Sequence, residues 1–140
     1  MNKNHILFQI GRIHYRVNKF LTEELKSHGI TGIAPSHGEI IGSLLMRGQL
    51  KMKEIAEIVG KDKSTVTVLV DKLIAKGYVK KSKDIDDNRI TFISLTATGK
   101  ALKPHYKAIS SKLKSWAYRG FTGEEREMLY KYLIRLGKNM

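Results

Sequence analysis

Apolar residues recur at spacings of three and four along most of the chain, which predicts a largely helical protein. A first predicted helix ends at the glycine-containing segment 29–32, and a second begins near Pro35 and ends at Gly48. The first helix carries Ile6, Ile10, Ile13, Val17, Phe20 and Leu21 at this spacing, and the second is expected to face inward through Ile40, Ile41, Leu44 and Leu45.

Two shorter helices follow, and then the period of the pattern changes. Residues 52–59 and 63–76 are predicted to be helical, with Gly60 between them and Gly77 after the second. Residues 78–83 and 90–95 are rich in β-branched or aromatic side chains, and the polar segment 84–89 between them is typical of a turn. The sequence therefore predicts a β-hairpin with a charged tip.

Two further helices are predicted to complete the chain. The first carries a long apolar stripe, and the second begins at Thr122, a good N-cap followed by two acidic residues. The stripe consists of Leu102, Tyr106, Ile109, Leu113 and Trp116, and the last helix is expected to face inward through Leu129, Leu133 and Leu136.

The two short helices have the residue spacing of a helix-turn-helix. Ala56 is small enough for a close helix crossing, and Gly60 tolerates the positive φ that the turn requires. Asp62 is a suitable N-cap for the second helix, and Val66 is a suitable buried anchor near its start. The inner face of that helix continues through Leu69, Val70 and Leu73.

The outer face of the second helix combines lysines with short hydroxyl side chains, which suits docking in the DNA major groove. The alternative is a helix-packing motif whose polar face is merely solvated. The hairpin directly downstream favours a winged helix. In that context Arg89 at the hairpin tip is placed to enter the minor groove, and Asp87 is placed to hold it. The alternative for Asp87 and Arg89 is an ordinary surface ion pair. The outer face comprises Lys63, Ser64, Thr65, Thr67, Val68, Asp71 and Lys72.

Composition is consistent with a nucleic-acid partner. The net charge of +13 over 140 residues calls for an anionic counterpart, and no acidic residue occurs between Ile90 and Arg119. The chain contains no cysteine, which excludes disulfides and thiolate chemistry, and no apolar run approaches the roughly 18 residues of a membrane span. We expect a soluble, cytoplasmic protein with no signal peptide. A basic stripe in the C-terminal region suggests either a solvated surface or contact with DNA flanks or an anionic ligand: Lys100, Lys103, Lys107 and Lys114.

The sequence resembles the MarR family of bacterial winged-helix transcription regulators. The resemblance rests on Glu54-Ile55-Ala56-Glu57-Ile58-Val59-Gly60, on Lys63 to Leu73, on Lys76-Gly77-Tyr78-Val79, on the wing segment 84–89 and on Ser94-Leu95-Thr96-Ala97-Thr98-Gly99. It implies a mainly α fold with a small hairpin wing, in which the winged helix-turn-helix is flanked by N- and C-terminal dimerisation helices. It further implies one domain over residues 1–140, with dimerisation segments 1–33 and 99–140 and a DNA-binding lobe over residues 34–98.

The family also implies a homodimer that binds double-stranded DNA at a palindromic site. On that basis Ser64, Thr65, Thr67 and Lys72 belong to the recognition helix, and Asp87 and Arg89 form the wing pair. The chain has Val68 where family members often carry Arg; Val68 cannot pair bidentately with guanine but can contact a thymine methyl group. Lys51 stands where an N-cap hydroxyl is more usual, which leaves the start of that helix open.

Ligand and enzymatic sites are less well supported. No two histidines have a metal-binding i, i+4 spacing, and His37 with Glu39 is the only close His–carboxylate pair, so no metal or other cofactor is expected. No enzymatic motif is present, so we do not expect an enzyme. An anionic or aromatic effector is a further expectation from the family, as open as the alternative that no ligand binds; its candidate contacts are His14, Arg16, His37 and Trp116.

The sequence thus predicts a sequence-specific DNA-binding regulator, most simply a repressor released by an effector. Two alternatives stay open. One is an architectural protein that binds nucleic acid through charge without reading sequence, which only the ratio of specific to non-specific affinity distinguishes. The other is a ligand-binding or protein-interaction module that has kept the winged fold and lost DNA binding.

Overall fold

The computed structural model describes residues 5–140, which form two compact units that meet in the sequence between Ile109 and Ser110. This division differs from the predicted one into dimerisation segments 1–33 and 99–140 and a DNA-binding lobe, which stays a functional prediction. Residues 1–4 of the predicted segment 1–33 lie outside the described residues. The helices are α1 (Ile6–Ser27), α2 (Pro35–Arg47), α3 (Met52–Val59), α4 (Lys63–Ala75), α5 (Ala97–Lys100), α6 (Lys103–Ala117) and α7 (Gly123–Lys138). The strands are β1 (Gln49–Lys51), β2 (Val79–Lys83) and β3 (Thr91–Leu95).

The predicted hairpin forms one side of a three-stranded antiparallel sheet of order β1-β3-β2. Strands β2 and β3 pair with Val79 opposite Leu95 and Lys83 opposite Thr91. The sequence did not indicate β1, whose three residues are too few to show a strand period. It pairs with β3 through Leu50 opposite Ile93, and both side chains are buried.

A single core holds the first unit together. Its fully buried side chains come from α2, α3, α4 and the sheet, so the helix-turn-helix and the base of the hairpin share one interior. Burial of this apolar area is the main stabilising term and orients the outer face of α4 away from the core. The fully buried members are Ile40, Ile41, Leu44, Leu50, Ile55, Val66, Val70, Leu73 and Ile93.

Two positions of the apolar stripe on α1 are exposed. Ile6 is 59% exposed and Ile13 is 50% exposed, whereas Phe20 and Leu21 pack on the core and Leu25 is buried. The apolar period was read correctly, but the first unit offers no surface to cover the N-terminal half of α1. That half also exposes Leu7, Phe8 and Tyr15.

The C-terminal apolar positions divide in the same way. Leu102 and Ile109 are buried in the first unit, as predicted. In the second unit Trp116 is exposed, and the prediction that Leu129 and Leu133 face inward is wrong for the single chain, where both are exposed. Apolar spacing identifies one side of a helix without identifying what packs against it.

The helix starts follow the capping rules. Thr122 accepts a hydrogen bond at Oγ1 from the Glu125 N–H at 3.0 Å, and the Thr122 N–H donates to Glu125 Oε1 at 2.9 Å. Lys51 provides no side-chain cap for α3; instead its backbone N–H donates to Glu54 Oε1 at 2.9 Å. The helix therefore begins as predicted despite the missing hydroxyl. Residues 5–140 form no helix that is long and apolar enough to cross a membrane.

Candidate nucleic-acid interface

The turn between α3 and α4 has the geometry that the sequence predicted. Gly60 ends α3 in the left-handed region with φ of +64°, and its N–H donates to the carbonyl oxygen of Ala56 at 3.0 Å. A residue with a side chain pays a steric penalty in this conformation, so glycine permits the sharp change of direction. The turn brings α4 across α3.

Asp62 caps the N-terminus of α4. Its Oδ1 accepts hydrogen bonds from the Thr65 N–H at 2.8 Å and from the Ser64 hydroxyl at 2.8 Å. The hydrogen bonds of Thr65 and Ser64 lower the pKa of Asp62, so the carboxylate is ionised at neutral pH. The cap fixes both the start of the helix and the orientation of its first side chains.

The polar face of α4 points away from the core. Val66 and Val70 are buried, whereas Lys63, Ser64 and Thr65 in the first turn are exposed. Farther along the same face lie the exposed Val68, Asp71 and Lys72 and the half-buried Thr67. These are the side chains that the sequence assigned to DNA contact, and their use in DNA contact stays a prediction.

Asp84 shapes the tip of the hairpin. Its Oδ2 accepts hydrogen bonds from the backbone N–H groups of Asp86 at 3.2 Å and Asp87 at 3.1 Å. The Asp84 N–H in turn donates to the Ile90 carbonyl oxygen at 3.0 Å, which closes the loop at its base. A carboxylate that satisfies two consecutive N–H groups defines the turn without glycine or proline.

Asp87 and Arg89 form a two-pronged ion pair at that tip. Asp87 Oδ1 accepts from Arg89 Nε at 3.0 Å and Asp87 Oδ2 accepts from Arg89 Nη2 at 3.0 Å, and the Arg89 N–H also donates to Asp87 Oδ1 at 2.9 Å. The pair lowers the pKa of Asp87 and raises that of Arg89. Because Nη1 takes no part, the guanidinium is oriented yet retains donors for another partner.

An ion pair also links the helix to the wing, and sequence reasoning missed it. Lys81 Nζ on β2 lies 3.2 Å from Asp71 Oδ1 on α4. Both residues were recognised as polar, but their pairing depends on how the hairpin lies against α4. The only available signal was their opposite charge. Exposed ion pairs of this kind contribute little stability. The pair joins a side chain of α4 to a side chain of β2.

The proposed effector contacts are not brought into one enclosed site within the first unit. His14 and Arg16 lie on the exposed part of α1, and His14 Nε2 lies 3.1 Å from Asn18 Nδ2. His37 is only 6% exposed, and its Nδ1 accepts a hydrogen bond from the Ala34 N–H at 2.9 Å. It is therefore a capping residue of α2, and its part in effector binding stays a prediction; Trp116 belongs to the second unit.

An open depression on α1 is lined by only one of these four candidate residues. It is lined by Phe8, Gly11, Arg12, Tyr15 and Arg16, a combination of aromatic surface with two guanidinium groups. Of this set the sequence had named Arg16 alone.

Outside the interface, one pairing of side chains was not indicated by the sequence. Within residues 5–140 no three His, Asp or Glu side chains are grouped so that they could hold a metal ion. His28 Nδ1 does lie 2.9 Å from His105 Nδ1, a pair that no sequence signal indicated because 77 residues separate its members. The four lysines of the basic stripe are exposed.

A capped helix-turn-helix that shares its core with a hairpin carrying an arginine at its tip defines a winged helix-turn-helix protein. Residues 33–91 match the model of the MarR family. SarZ of Staphylococcus haemolyticus, an HTH-type transcriptional regulator, is 31% identical over 110 residues, which cover 79% of this chain and 73% of SarZ. The chain belongs to the MarR family of transcriptional regulators.

Other similarities are consistent with this assignment. The HTH-type transcriptional repressor MdtR of Bacillus subtilis is 33% identical over 81 residues, covering 58% of this chain and 52% of MdtR. Among solved structures, a MarR regulator of Methanosarcina mazei matches with a TM-score of 0.82 at 22% identity, covering 98% of this chain and 96% of that one. A mutant of Escherichia coli MarR, solved in complex with operator DNA, matches with a TM-score of 0.75 at 19% identity, covering 97% of this chain and 99% of that one. These structures confirm the predicted fold class.

Proposed function

We propose that the protein is a homodimeric repressor that recognises a palindromic operator in the cytoplasm and acts by binding rather than by catalysis. The observation that carries this proposal is the pairing of an exposed, capped recognition helix with a wing whose arginine is oriented by Asp87. The first suits the major groove and the second the adjacent minor groove.

Dimer formation is supported by the apolar side chains that the single chain leaves exposed. The N-terminal half of α1 and much of α7 carry aliphatic and aromatic residues in contact with solvent. Patches of this kind mark interaction surfaces, and a two-fold dimer matches the symmetry of a palindromic site. The exposed set on α7 comprises Met128, Leu129, Tyr130, Tyr132, Leu133 and Ile134.

Release by an effector is the second part of the proposal. The depression on α1 offers Arg12 and Arg16 to an anion and Phe8 and Tyr15 to an aromatic ring. A ligand bound there would bias the geometry of the dimer and hence the separation of its two recognition helices, which rests on the family's mode of action. Arg16→Ala is expected to abolish the response to aromatic carboxylates without loss of DNA binding.

A gel-shift titration tests DNA recognition. We expect the protein to shift DNA from upstream of its own gene at concentrations that leave a random duplex of equal length unbound. Equal binding of both duplexes would favour an architectural protein that uses charge alone. Arg89→Ala addresses the other alternative: unchanged affinity would favour a module that no longer binds DNA through its wing.

A further inference from the structure

Val68 lies at the centre of the surface that α4 presents to solvent. Each residue of an α-helix advances about 100° around the axis, so Val68 lies about 200° from both Val66 and Val70. Those two valines are 1% and 0% exposed, whereas Val68 is 69% exposed. Among the apolar side chains of α4, a strongly exposed one therefore lies in the middle of the recognition helix.

Two hydroxyl groups near Val68 already use their hydrogens within the protein. The Ser64 hydroxyl donates to Asp62 Oδ1 at 2.8 Å, and the Thr67 hydroxyl donates to the Lys63 carbonyl oxygen at 2.9 Å. A hydroxyl that donates to a carboxylate is held by a charge-assisted bond. These side chains consequently offer lone pairs, and not donors, to a molecule that approaches the helix.

This arrangement suits some base edges in the major groove and not others. Guanine presents two acceptors there, which call for paired donors, whereas thymine presents a C5-methyl group and adenine and cytosine present exocyclic amino groups. Val68 can contact a methyl group, and the hydroxyl lone pairs can accept from an amino group. Lys63 and Lys72 lie five residues before and four residues after Val68, where their charges suit the phosphates.

We propose that Val68 reads the C5-methyl group of a thymine in each operator half-site, with Ser64 accepting from the amino group of a neighbouring adenine or cytosine. This inference rests on the proposed function, since it specifies the DNA which that same interface selects. It predicts that the base opposite Val68 is recognised by apolar contact and that no guanine is required at that position.

The test begins by enriching duplexes from a random pool with the full-length protein and aligning those that bind. Each thymine of the enriched site is then replaced in turn by deoxyuridine, which removes only the methyl group, and the dissociation constant is measured by fluorescence anisotropy. We expect one thymine in each half-site at which the replacement weakens binding about fourfold, as for exposing one methyl-sized group. At the same position, 5-methylcytosine is expected to bind more tightly than cytosine.

Protein variants test whether Val68 is the residue that contacts the thymine methyl group. Val68→Ala is expected to bind thymine and deoxyuridine duplexes equally at that position, and since Val68 is exposed and alanine favours helix, this variant should fold. Ile85→Ala is the matched control, because Ile85 at the wing tip is 98% exposed and equally apolar. It is expected to keep the full sensitivity to deoxyuridine.

The outcomes separate the inference from the function on which it rests. If the enriched site binds specifically but no deoxyuridine replacement matters, or if Val68→Ala retains the sensitivity, the thymine inference is overturned while the regulator stands. An aligned guanine at the sensitive position has the same consequence. If no sequence is enriched over the starting pool, both the proposed function and the inference fail.

Discussion

At the scale of single residues, the wing carries an acidic side chain on a surface that we propose faces DNA. Asp87 introduces negative charge beside a polyanion, which by itself opposes binding. It also accepts three hydrogen bonds from Arg89, two of them from the guanidinium group. The cost of the charge is offset if Arg89 binds better when it is held in one orientation.

Replacing Asp87 distinguishes orientation from charge. We expect Asp87→Ala to weaken binding of the enriched operator, on the order of fivefold, the low end for loss of one specific contact. Asp86→Ala is the matched control, since it removes the same charge one residue away but leaves the Arg89 pair intact. It is expected to strengthen binding slightly. If both variants strengthened binding, the wing pair would have no role in positioning. Fluorescence anisotropy at fixed salt gives both values.

His37 makes the stability of the first unit depend on pH. Burial lowers the pKa of His37 below its usual value of 6.5, and the charge of Lys72 lowers it further. Since the folded protein holds this proton less tightly than the unfolded chain, the stabilisation is complete above the unfolded pKa near 6.5 and is lost progressively as the pH falls below it.

Thermal unfolding between about pH 7.5 and pH 5 measures this contribution. We expect the melting temperature of the wild type to fall over that range more steeply than that of His37→Asn, whose amide oxygen can still accept from the Ala34 N–H. The comparison cancels the titration of the other histidines. Parallel curves for the two proteins would show that His37 does not titrate differently in the folded state.

At the scale of elements, local signals predicted the helix-turn-helix and the hairpin. The features that were missed depend on contacts between residues far apart in the sequence. Gly60, Asp62 and the polar segment 84–89 each specify a turn or cap through the residue's own chemistry, so their positions could be read from the sequence. Strand β1 exists because Leu50 pairs opposite Ile93, and the pair Lys81–Asp71 depends on how the hairpin lies against α4.

The same distinction explains the uncovered apolar residues of α1. The spacing of Ile6 and Ile13 correctly indicates an apolar face, but whether a face is covered depends on elements far away in the sequence or in another chain. The exposed leucines of α7 illustrate the point again. Periodicity therefore predicted the candidate DNA interface better than it predicted the helices proposed to form a dimer.

The helix-turn-helix turn offers a test of the backbone argument. Gly60→Ala places a side chain at φ of +64°, and we expect it to lower the free energy of unfolding by about 1–2 kcal/mol. Gly137→Ala is the control, because Gly137 lies within α7 with open space around it and no positive φ. Alanine there should leave stability unchanged or raise it. Chemical denaturation measures both, and equal effects would contradict the turn assignment.

At the scale of the whole molecule, net charge and apolar surface indicate different partners. The charge of +13 is consistent with DNA binding, but it does not identify the winged helix-turn-helix as the part that binds. The segment without any acidic residue, residues 90–119, lies mostly beyond the wing. The exposed apolar residues at both ends of the described chain are consistent with a second copy of the protein.

Sedimentation equilibrium tests the proposed dimer. We expect the wild type to sediment as a dimer at micromolar concentration and Leu133→Lys to shift it toward monomer, because a charge would be buried in an apolar interface. Lys131→Ala on the same helix should remain dimeric. The Leu133→Lys variant is also expected to lose operator affinity, since one winged lobe then binds alone. A monomeric wild type would contradict the proposed arrangement.

The most direct test of the central claim is the ratio of dissociation constants for the enriched operator and for a scrambled duplex of the same length, both measured at the same physiological salt concentration. Charge acts equally on the two duplexes, so the ratio isolates sequence recognition. We predict that the operator binds at least about a thousandfold more tightly, as is typical of specific DNA-binding proteins. A ratio near one would show that the protein binds DNA through charge alone and would contradict its proposed role as a sequence-specific regulator.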